Sequence, residues 1–535
     1  MRLAGPLGLL LAALIAAGIG MRDDAVAQAP PRPNFIVVMA DDQAPGMMRA
    51  LPQTQRLLGG RGATFANAFA SFPLCCPARA TFLTGEYAHN HGVKGNNPKS
   101  GGGYGALIDP GKNLAAWIQA SGYDTAFAGK WLNGLRTPRR APPGWSQWSG
   151  LMGAGGEGLS SYYDYEIFDP SGTPRHYGTS TVDYQTDALT RDYALPFIQA
   201  HQVSAQPFFL WLAYHPPHSG VGRNDAAGKR CSDGPPASRA GKQSAIPPAR
   251  YASRFEHTPL PARPSFDEAD VSDKPAFLRR KPPLSEQDVE RVKRDYRCGL
   301  AALLALDDTV GEIVATLRGT GQLDNTVLLF TADQGVLAGE HRIKRGKNRP
   351  YEEPISTPLL VRGPGVTPGL EVDAPVVNAD LAPTVLALAQ ATMPPELARP
   401  IDGVSLAPVL AGAPADPGRV IPIEGRGNTA RARDGFKVRS YVGVRTARYA
   451  YTEYRRAAFS TYDAGVAAPI GAGRVTDREL YDLQRDPFEL ENRARDPAYV
   501  DARSALAGLT ARLEGCSGDA CAVTASVPGP THAPQ

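Results

Sequence analysis

Short, unbroken apolar runs stand out along the chain against a largely polar background. Residues 33–40 (with Asn34-Phe35-Ile36-Val37-Val38-Met39), 125–128, 207–214 (Pro-Phe-Phe-Leu-Trp-Leu-Ala-Tyr) and 325–331 (with Thr-Val-Leu-Leu-Phe) lack the polar alternation of a half-exposed strand. Continuous apolarity over such lengths predicts strands covered on both faces, as in a parallel sheet. Residues 358–361 read as a further strand, closed by the Gly363-Pro364-Gly365 turn. Between these runs the spacing turns helical, near 54–58 and over 114–121, 187–199 and 381–388. Residues 285–318 form a long amphipathic pattern with Leu300, Leu303, Leu304 and Val310 along its apolar side. Residues 162–177 are patterned as a hairpin turning at Asp169-Pro170-Ser171-Gly172. Strands alternating with helices predict an α/β fold with a doubly wound, mainly parallel sheet over 33–410. After Ala411-Gly412-Ala413-Pro414 shorter strands follow (420–424, 441–444, 449–454), then a helix near 501–513. That texture predicts a smaller α+β subdomain over 411–535, with an antiparallel sheet and a terminal helix.

Polar residues gather where the apolar runs stop: Asp41-Asp42, Lys130, His218 and Asp333-Gln334. Parallel strands bring their carboxyl ends to one edge, and ligands of open α/β sheets bind there. Acids and an amide gathered at one point repel each other without a cation. Oxygen ligands select calcium or magnesium over zinc. A second candidate lies at residues 72–85, which read as a short helix. Pro77 suits its first turn and Gly85 its left-handed stop. Cys75 then sits just before the helix N-terminus, where free N–H groups and the dipole favour an anion, with Arg79 one turn on.

Composition narrows the partners. With 57 basic and 53 acidic residues the net charge is only +4, which gives no electrostatic case for nucleic acid. Arg2, the apolar run 7–17 and Ala25-Val26-Ala27 predict a signal peptide over 1–27 and a periplasmic or secreted protein. No later stretch has the apolar length of a membrane span. The six cysteines suit export. Cys516 and Cys521 flank a Ser-Gly-Asp-Ala turn that suits a small disulfide loop, whereas the spacing leaves a Cys231–Cys298 pair open. Residues 220–283 read as a surface insertion, either a pocket wall in which Arg223, Lys229 and Arg230 hold acidic groups or a solvated loop.

Cys75-Cys76-Pro77-Ala78-Arg79 resembles the Cys-x-Pro-x-Arg signature of type I sulfatases, with Ala78 where serine is usual. The resemblance runs over about 34–364, and more weakly to Leu480-Tyr481-Asp482-Leu483. It implies an alkaline-phosphatase-like fold. It also implies oxidation of Cys75 to formylglycine by a formylglycine-generating enzyme. Asp41, Asp42, Asp333 and Gln334, with residue 75, fall where the family binds calcium, magnesium being possible; Gln334 stands where Asn or His is common. Lys130 in Phe-Ala-Gly-Lys and Lys347 in Gly-Lys-Asn-Arg-Pro-Tyr-Glu match sulfate-binding lysines. His218 in Pro-Pro-His matches the histidine that bonds the sulfate or the leaving oxygen. Cys75-Cys76-Pro77, Gly129-Lys130-Trp131-Leu132-Asn133 and the terminal Cys516–Cys521 loop are similar to N-acetylglucosamine-6-sulfatases. The implied reaction is hydrolysis of sulfate monoesters, on 6-O-sulfated N-acetylglucosamine or glucosamine units of glycans. The alternatives are an arylsulfatase, a phospho- or phosphonate monoester hydrolase of the same superfamily, or a non-catalytic sulfoglycan-binding protein if Cys75 stays unmodified.

Overall fold

The computed structural model describes residues 32–98, 101–135, 141–153, 161–168, 173–220, 244–427, 439–456, 470–471 and 473–531. The expected signal peptide, the turn 169–172, and Arg223, Lys229, Arg230 and Cys231 lie outside the described residues.

The strands are β1 (Asn34–Asp41), β2 (Ala63–Phe65), β3 (Ala68–Phe69), β4 (Asp124–Gly129), β5 (Gln147–Gly153), β6 (Tyr165–Phe168), β7 (Pro174–Tyr177), β8 (Phe208–Pro217), β9 (Thr326–Ala332), β10 (Leu359–Arg362), β11 (Leu370–Val372), β12 (Val376–Val377), β13 (Arg419–Gly425), β14 (Ser440–Arg445), β15 (Tyr449–Arg456), β16 (Arg474–Asp482) and β17 (Val523–Thr524). Among the described residues, ten of them form one mixed sheet in the order β11-β2-β10-β9-β1-β8-β4-β5-β6-β7. Its centre, β9-β1-β8-β4-β5, is parallel throughout. Antiparallel β10 follows on one side and the β6–β7 hairpin on the other. Of these, β1, β4, β8, β9 and β10 are the strands that the apolar runs mark, and the doubly wound, mainly parallel expectation holds.

Alternation along β1 explains the layers. Phe35, Val37 and Met39 pack with Ala80, Phe82 and Leu83 of the helix Cys75–Thr84 and with Leu381 and Val385 of the helix Leu381–Leu388. Ile36, Val38 and Ala40 face the other way, onto Leu300, Leu303, Leu306 and Val310 of the helix Glu286–Gly319. Ser285 caps that helix by accepting from the Asp288 N–H. A second sheet, β16-β15-β14-β13-β17, is antiparallel and covered by the helix Val500–Leu513. Its core also takes in Phe69, Tyr87, Ile355 and Val377, and residues Arg32–Gln535 make one compact unit. Cys516 and Cys521 are disulfide-bonded, and Cys298 is bonded as well. No described helix is long and apolar enough to cross a membrane.

The second half of the expected surface insertion departs from a solvated loop. Val271, Lys274 and Leu278 are buried, and Lys274 Nζ donates to the carbonyls of Glu489 (2.9 Å) and Leu490 (2.8 Å). A buried ammonium needs such acceptors, and they pin the segment to the C-terminal part.

Candidate active site

Register delivers the polar strand ends to one place. β1 pairs Ala40 with Ala332 of β9 and Asp41 with Pro217 of β8. β4 pairs Gly129 with Ala213 of β8, and the Lys130 N–H bonds the Ala213 carbonyl at 2.8 Å. Asp41, Asp42, Lys130, His218, Asp333 and Gln334 therefore meet on the carboxyl edge of the sheet. Asp42 takes a left-handed φ of 66°, a conformation that Asp tolerates better than most residues.

The helix Cys75–Thr84 runs into this edge. Leu74 is its N-cap and Cys75 its first residue, so the expectation that Cys75 precedes the helix is corrected by one position. Gly85 ends it with φ 69°. Around Cys75 Sγ lie Lys347 Nζ at 2.8 Å, Asp41 Oδ1 at 3.5 Å, Gln334 Nε2 at 3.6 Å and Lys130 Nζ at 3.8 Å. Asp41, Asp42, Cys75 and His218 each bring a ligand atom within 4.8 Å of the others. Lys347 Nζ also bonds Asp42 Oδ1 at 2.6 Å, and Lys130 Nζ bonds Asp41 Oδ2.

Arg79 does not point at the space above Cys75. Fully buried, it donates through Nε to Asp333 Oδ2 at 2.9 Å and through Nη1 to the Lys130 carbonyl at 2.5 Å, with Asp41 3.8 Å away. It ties three of the converging segments together from beneath. Asp333 Oδ1 accepts from the backbone N–H groups of Asp42 (3.0 Å) and Gln334 (2.9 Å).

Charge balance follows from burial and neighbours. Burial raises the Asp41 carboxyl, but Lys130, His218, Arg79 and Lys347 outweigh it and hold the group well below its ordinary value. Asp333 is pushed up to about 6, first by burial and then by Asp41. Burial pushes the Cys75 thiol up despite Lys130 and Lys347, so it stays protonated near neutrality. Cys76 rises to about 12 through burial and its neighbour Cys75. Its Sγ accepts the Asn133 N–H at 3.2 Å, facing away from the cluster into the core. Burial drives His218 well below its usual value, and a neutral ring with Nδ1 2.7 Å from the Ser219 carbonyl carries its proton there.

The sulfatase family profile matches residues 33–391. The chain belongs to the sulfatase family. It is 32% identical over 398 residues to the N-acetylglucosamine-6-sulfatase of Homo sapiens, covering 72% of this chain and 66% of that protein. It is 29% identical over 528 residues to an arylsulfatase of Volvox carteri, covering 92% of this chain and 76% of that one. The chain thus spans just under two thirds of the length of the human relative. Its fold is similar to a solved protein in complex with its substrate D-glucosamine-2-N,6-O-disulfate, with a TM-score of 0.67 and 22% identity over 90% of this chain and 97% of the other.

In this chain the donor set fits a hard divalent cation. Three carboxylates and an amide converge, and Gln334 Oε1 is buried with no hydrogen-bond partner. As placed, Gln334 turns Nε2 toward Asp42. Half a turn of the amide presents Oε1 there instead.

Three residues in the site escaped the sequence reading. His215 lies with Nδ1 3.7 Å from Asp41 Oδ2, and Arg345 reaches within 3.9 Å of Asp42 Oδ2. Tyr162 donates to the His218 carbonyl at 2.7 Å and packs edge-on against His215. His215 was findable, since it also stands at the end of the 207–214 run. Arg345 and Tyr162 come from loops and carry no spacing signal.

Proposed function

We propose that this chain is an exported hydrolase of sulfate monoesters, acting on 6-O-sulfated N-acetylglucosamine or glucosamine units of glycans. The observation that carries the reading is the environment of residue 75. Its reactive atom sits at a helix N-terminus within 2.8 to 3.8 Å of two lysines and an aspartate. Such a place neutralises a tetrahedral oxyanion. A thiol held protonated is a poor nucleophile in its own right, which favours conversion of Cys75 over direct thiol attack. The sugar rests on the likeness to N-acetylglucosamine-6-sulfatases.

Formylglycine at residue 75, made by a formylglycine-generating enzyme, supplies as its hydrate the attacking oxygen and the route by which sulfate leaves. Calcium, or magnesium in its place, would be held by Asp41, Asp42, Asp333 and Gln334 with residue 75, and would supply Lewis-acid neutralisation of the sulfate oxygens. The side chains do the rest. Burial lowers Lys130 and Lys347, but Asp41 beside the first and Asp42 beside the second outweigh it and raise both, so they stay ammonium and counter the growing charge. Arg79 holds Asp333 and the Lys130 backbone in place. His218 presents Nε2 as an acceptor, so it orients a substrate hydroxyl. Lys347 Nζ is then the proton donor to the departing alcohol oxygen.

The mass of the Cys75 peptide from protein made alongside a formylglycine-generating enzyme tests the reading directly. It should carry the aldehyde, and Cys75→Ala should abolish turnover, while Cys76→Ala, whose thiol faces the core, keeps it. An unmodified cysteine in an active enzyme, or activity in Cys75→Ala, refutes the formylglycine step. If aryl sulfates turn over and every 6-sulfated glucosamine is inert, the sugar assignment falls. If a phosphate monoester of the same aryl alcohol is the better substrate, the superfamily alternative replaces it.

A further inference from the structure

A second cluster of metal-ligating groups lies outside this site. His341, Glu353 and Glu489 are all buried, and each offers a ligand atom within 4.8 Å of the other two. His341 Nε2, Glu353 Oε2 and Glu489 Oε1 have no hydrogen-bond partner in their buried positions. Three such orphans in one place are costly, since a buried polar group without a partner has given up its water and gained nothing in return. The opposite ring nitrogen is fixed: His341 Nδ1 lies 2.6 Å from Glu268 Oε2, and Glu268 Oε1 lies 3.0 Å from Lys274 Nζ. A carboxylate on one imidazole nitrogen, leaving the other for a cation, is the usual support of a metal-bound histidine.

Nearby cations do not neutralise the acids. Glu353 shares Arg263 with Glu340, at 3.4 and 3.7 Å, and among the described residues Glu489 has no ion-pair partner. Glu489 Oε2 is engaged by the Glu352 N–H at 2.9 Å, which leaves Oε1 for something else. Zinc bonds N and O ligands at about 2.0–2.2 Å in tetrahedral geometry, so bound atoms sit roughly 3.3–3.6 Å apart. The three atoms, now within 4.8 Å of one another, would draw together to that spacing around an ion.

We propose that His341, Glu353 and Glu489 form a second, structural site for a divalent transition metal, zinc or manganese. One imidazole among two carboxylates favours these over calcium. His341 and Glu353 flank the loop that carries Lys347, and Glu489 comes from the C-terminal part. The ion therefore clamps that loop to the sheet behind it, and no catalytic step passes through it.

The test reads metal rather than turnover, so it stands or falls independently of the sulfatase reading. Full-length Asp42→Asn/Asp333→Asn protein, which lacks acids of the first site, is stripped with chelator and offered Zn2+ or Mn2+. It should retain one ion per chain by elemental analysis and melt at a higher temperature with it. Adding His341→Gln should remove both effects. Crystals of the unmutated chain soaked in Zn2+ and measured at the zinc edge should show an anomalous peak between His341, Glu353 and Glu489. Absence of that peak, or uptake that His341→Gln leaves unchanged, overturns the site and leaves the three groups joined by shared protons or water.

Discussion

Gly129 sets the position of Lys130, and adding one carbon to it should cost activity more than stability. The residue has φ 117°, a conformation closed to L-residues with a side chain. A Cβ there would lie 2.1 Å from the Ala213 carbonyl oxygen and 2.8 Å from its carbon. That oxygen accepts the Lys130 N–H. Cβ atoms do not approach closer than 3.0 Å, so β4 and β8 must separate by at least 0.9 Å at this point. Backbone strain costs about 1–3 kcal/mol and the stretched hydrogen bond about 1 kcal/mol more. A misplacement of about 1 Å at a charge-stabilising group costs on the order of 100-fold in rate. Gly129→Ala should therefore lower kcat on an aryl sulfate by about 100-fold, in a chain destabilised by roughly 2–4 kcal/mol. Gly321 is the control. It also has a positive φ, 73°, but a Cβ there meets nothing within 4 Å. Gly321→Ala should lose about 1–2 kcal/mol and keep its kcat. Parallel melting curves and initial rates on the two variants decide the matter. Unchanged kcat in Gly129→Ala, or equal losses in both, would show that the placement of Lys130 does not limit the reaction.

Two further outcomes follow from buried charge. His89 faces acceptors with both nitrogens, Glu424 Oε2 at 2.9 Å and the Cys516 carbonyl at 2.9 Å, and burial, which would lower its pKa, is outweighed by Glu424 so that it rises to about 9. Its folded value exceeds the ordinary 6.5, so its contribution is complete below pH 6.5 and lost as pH rises through 9; His89→Gln should flatten that part of the melting-temperature profile, and an unchanged slope refutes the assignment. Arg79→Met leaves Asp333 buried without its partner and should cost about 3–5 kcal/mol by urea midpoint in chelator, with partial recovery on adding Asp333→Asn; a loss well under that range, or simple additivity of the two changes, contradicts the pairing.

How much of this was legible depends on whether the signal is local. β1, β4, β8 and β9 announce themselves because both faces are covered, and the residues after them then fall on one edge by topology alone. Asp41, Lys130, His218 and Asp333 were legible for that reason. β5 (Gln147–Gly153) and β16 (Arg474–Asp482) were not, since one carries two glycines and the other begins with exposed or half-exposed polar residues. The helix at 75 was clear from Pro77 and Gly85, but its first residue depends on backbone dihedrals at Leu74 that no side chain dictates. Arg79, one turn after Cys75, was expected to share its spot, yet it turns to partners 51 and 254 residues away, so its supporting position beneath the site required the fold. His341 and Glu489 lie on loops and Glu353 in the short helix Glu352–Ile355, and no spacing in the chain connects them.

The sheet platform alone does not place Lys347, and the C-terminal part supplies what is missing. The loop that carries Lys347 is anchored on one side by the Asn348 N–H, which bonds the Pro73 carbonyl at 2.7 Å, two residues before Cys75. On the other side Tyr351 is buried and donates to Glu479 Oε1 at 2.8 Å. Glu479 stands in β16 and also accepts from Tyr481 at 2.6 Å and from Tyr454 of β15. Three hydroxyls around one buried carboxylate satisfy it without a cation, and each phenol packs its ring into apolar surroundings. Asn348 Nδ2 adds a bond to the Arg426 carbonyl at 2.9 Å, just beyond β13. Lys347 is thus held between the Cys75 segment and the antiparallel sheet, while Lys130 is held by the parallel one. The two cations beside residue 75 owe their places to different sheets, so the spacing between them is set by how residues 411 onward pack on the rest of the unit.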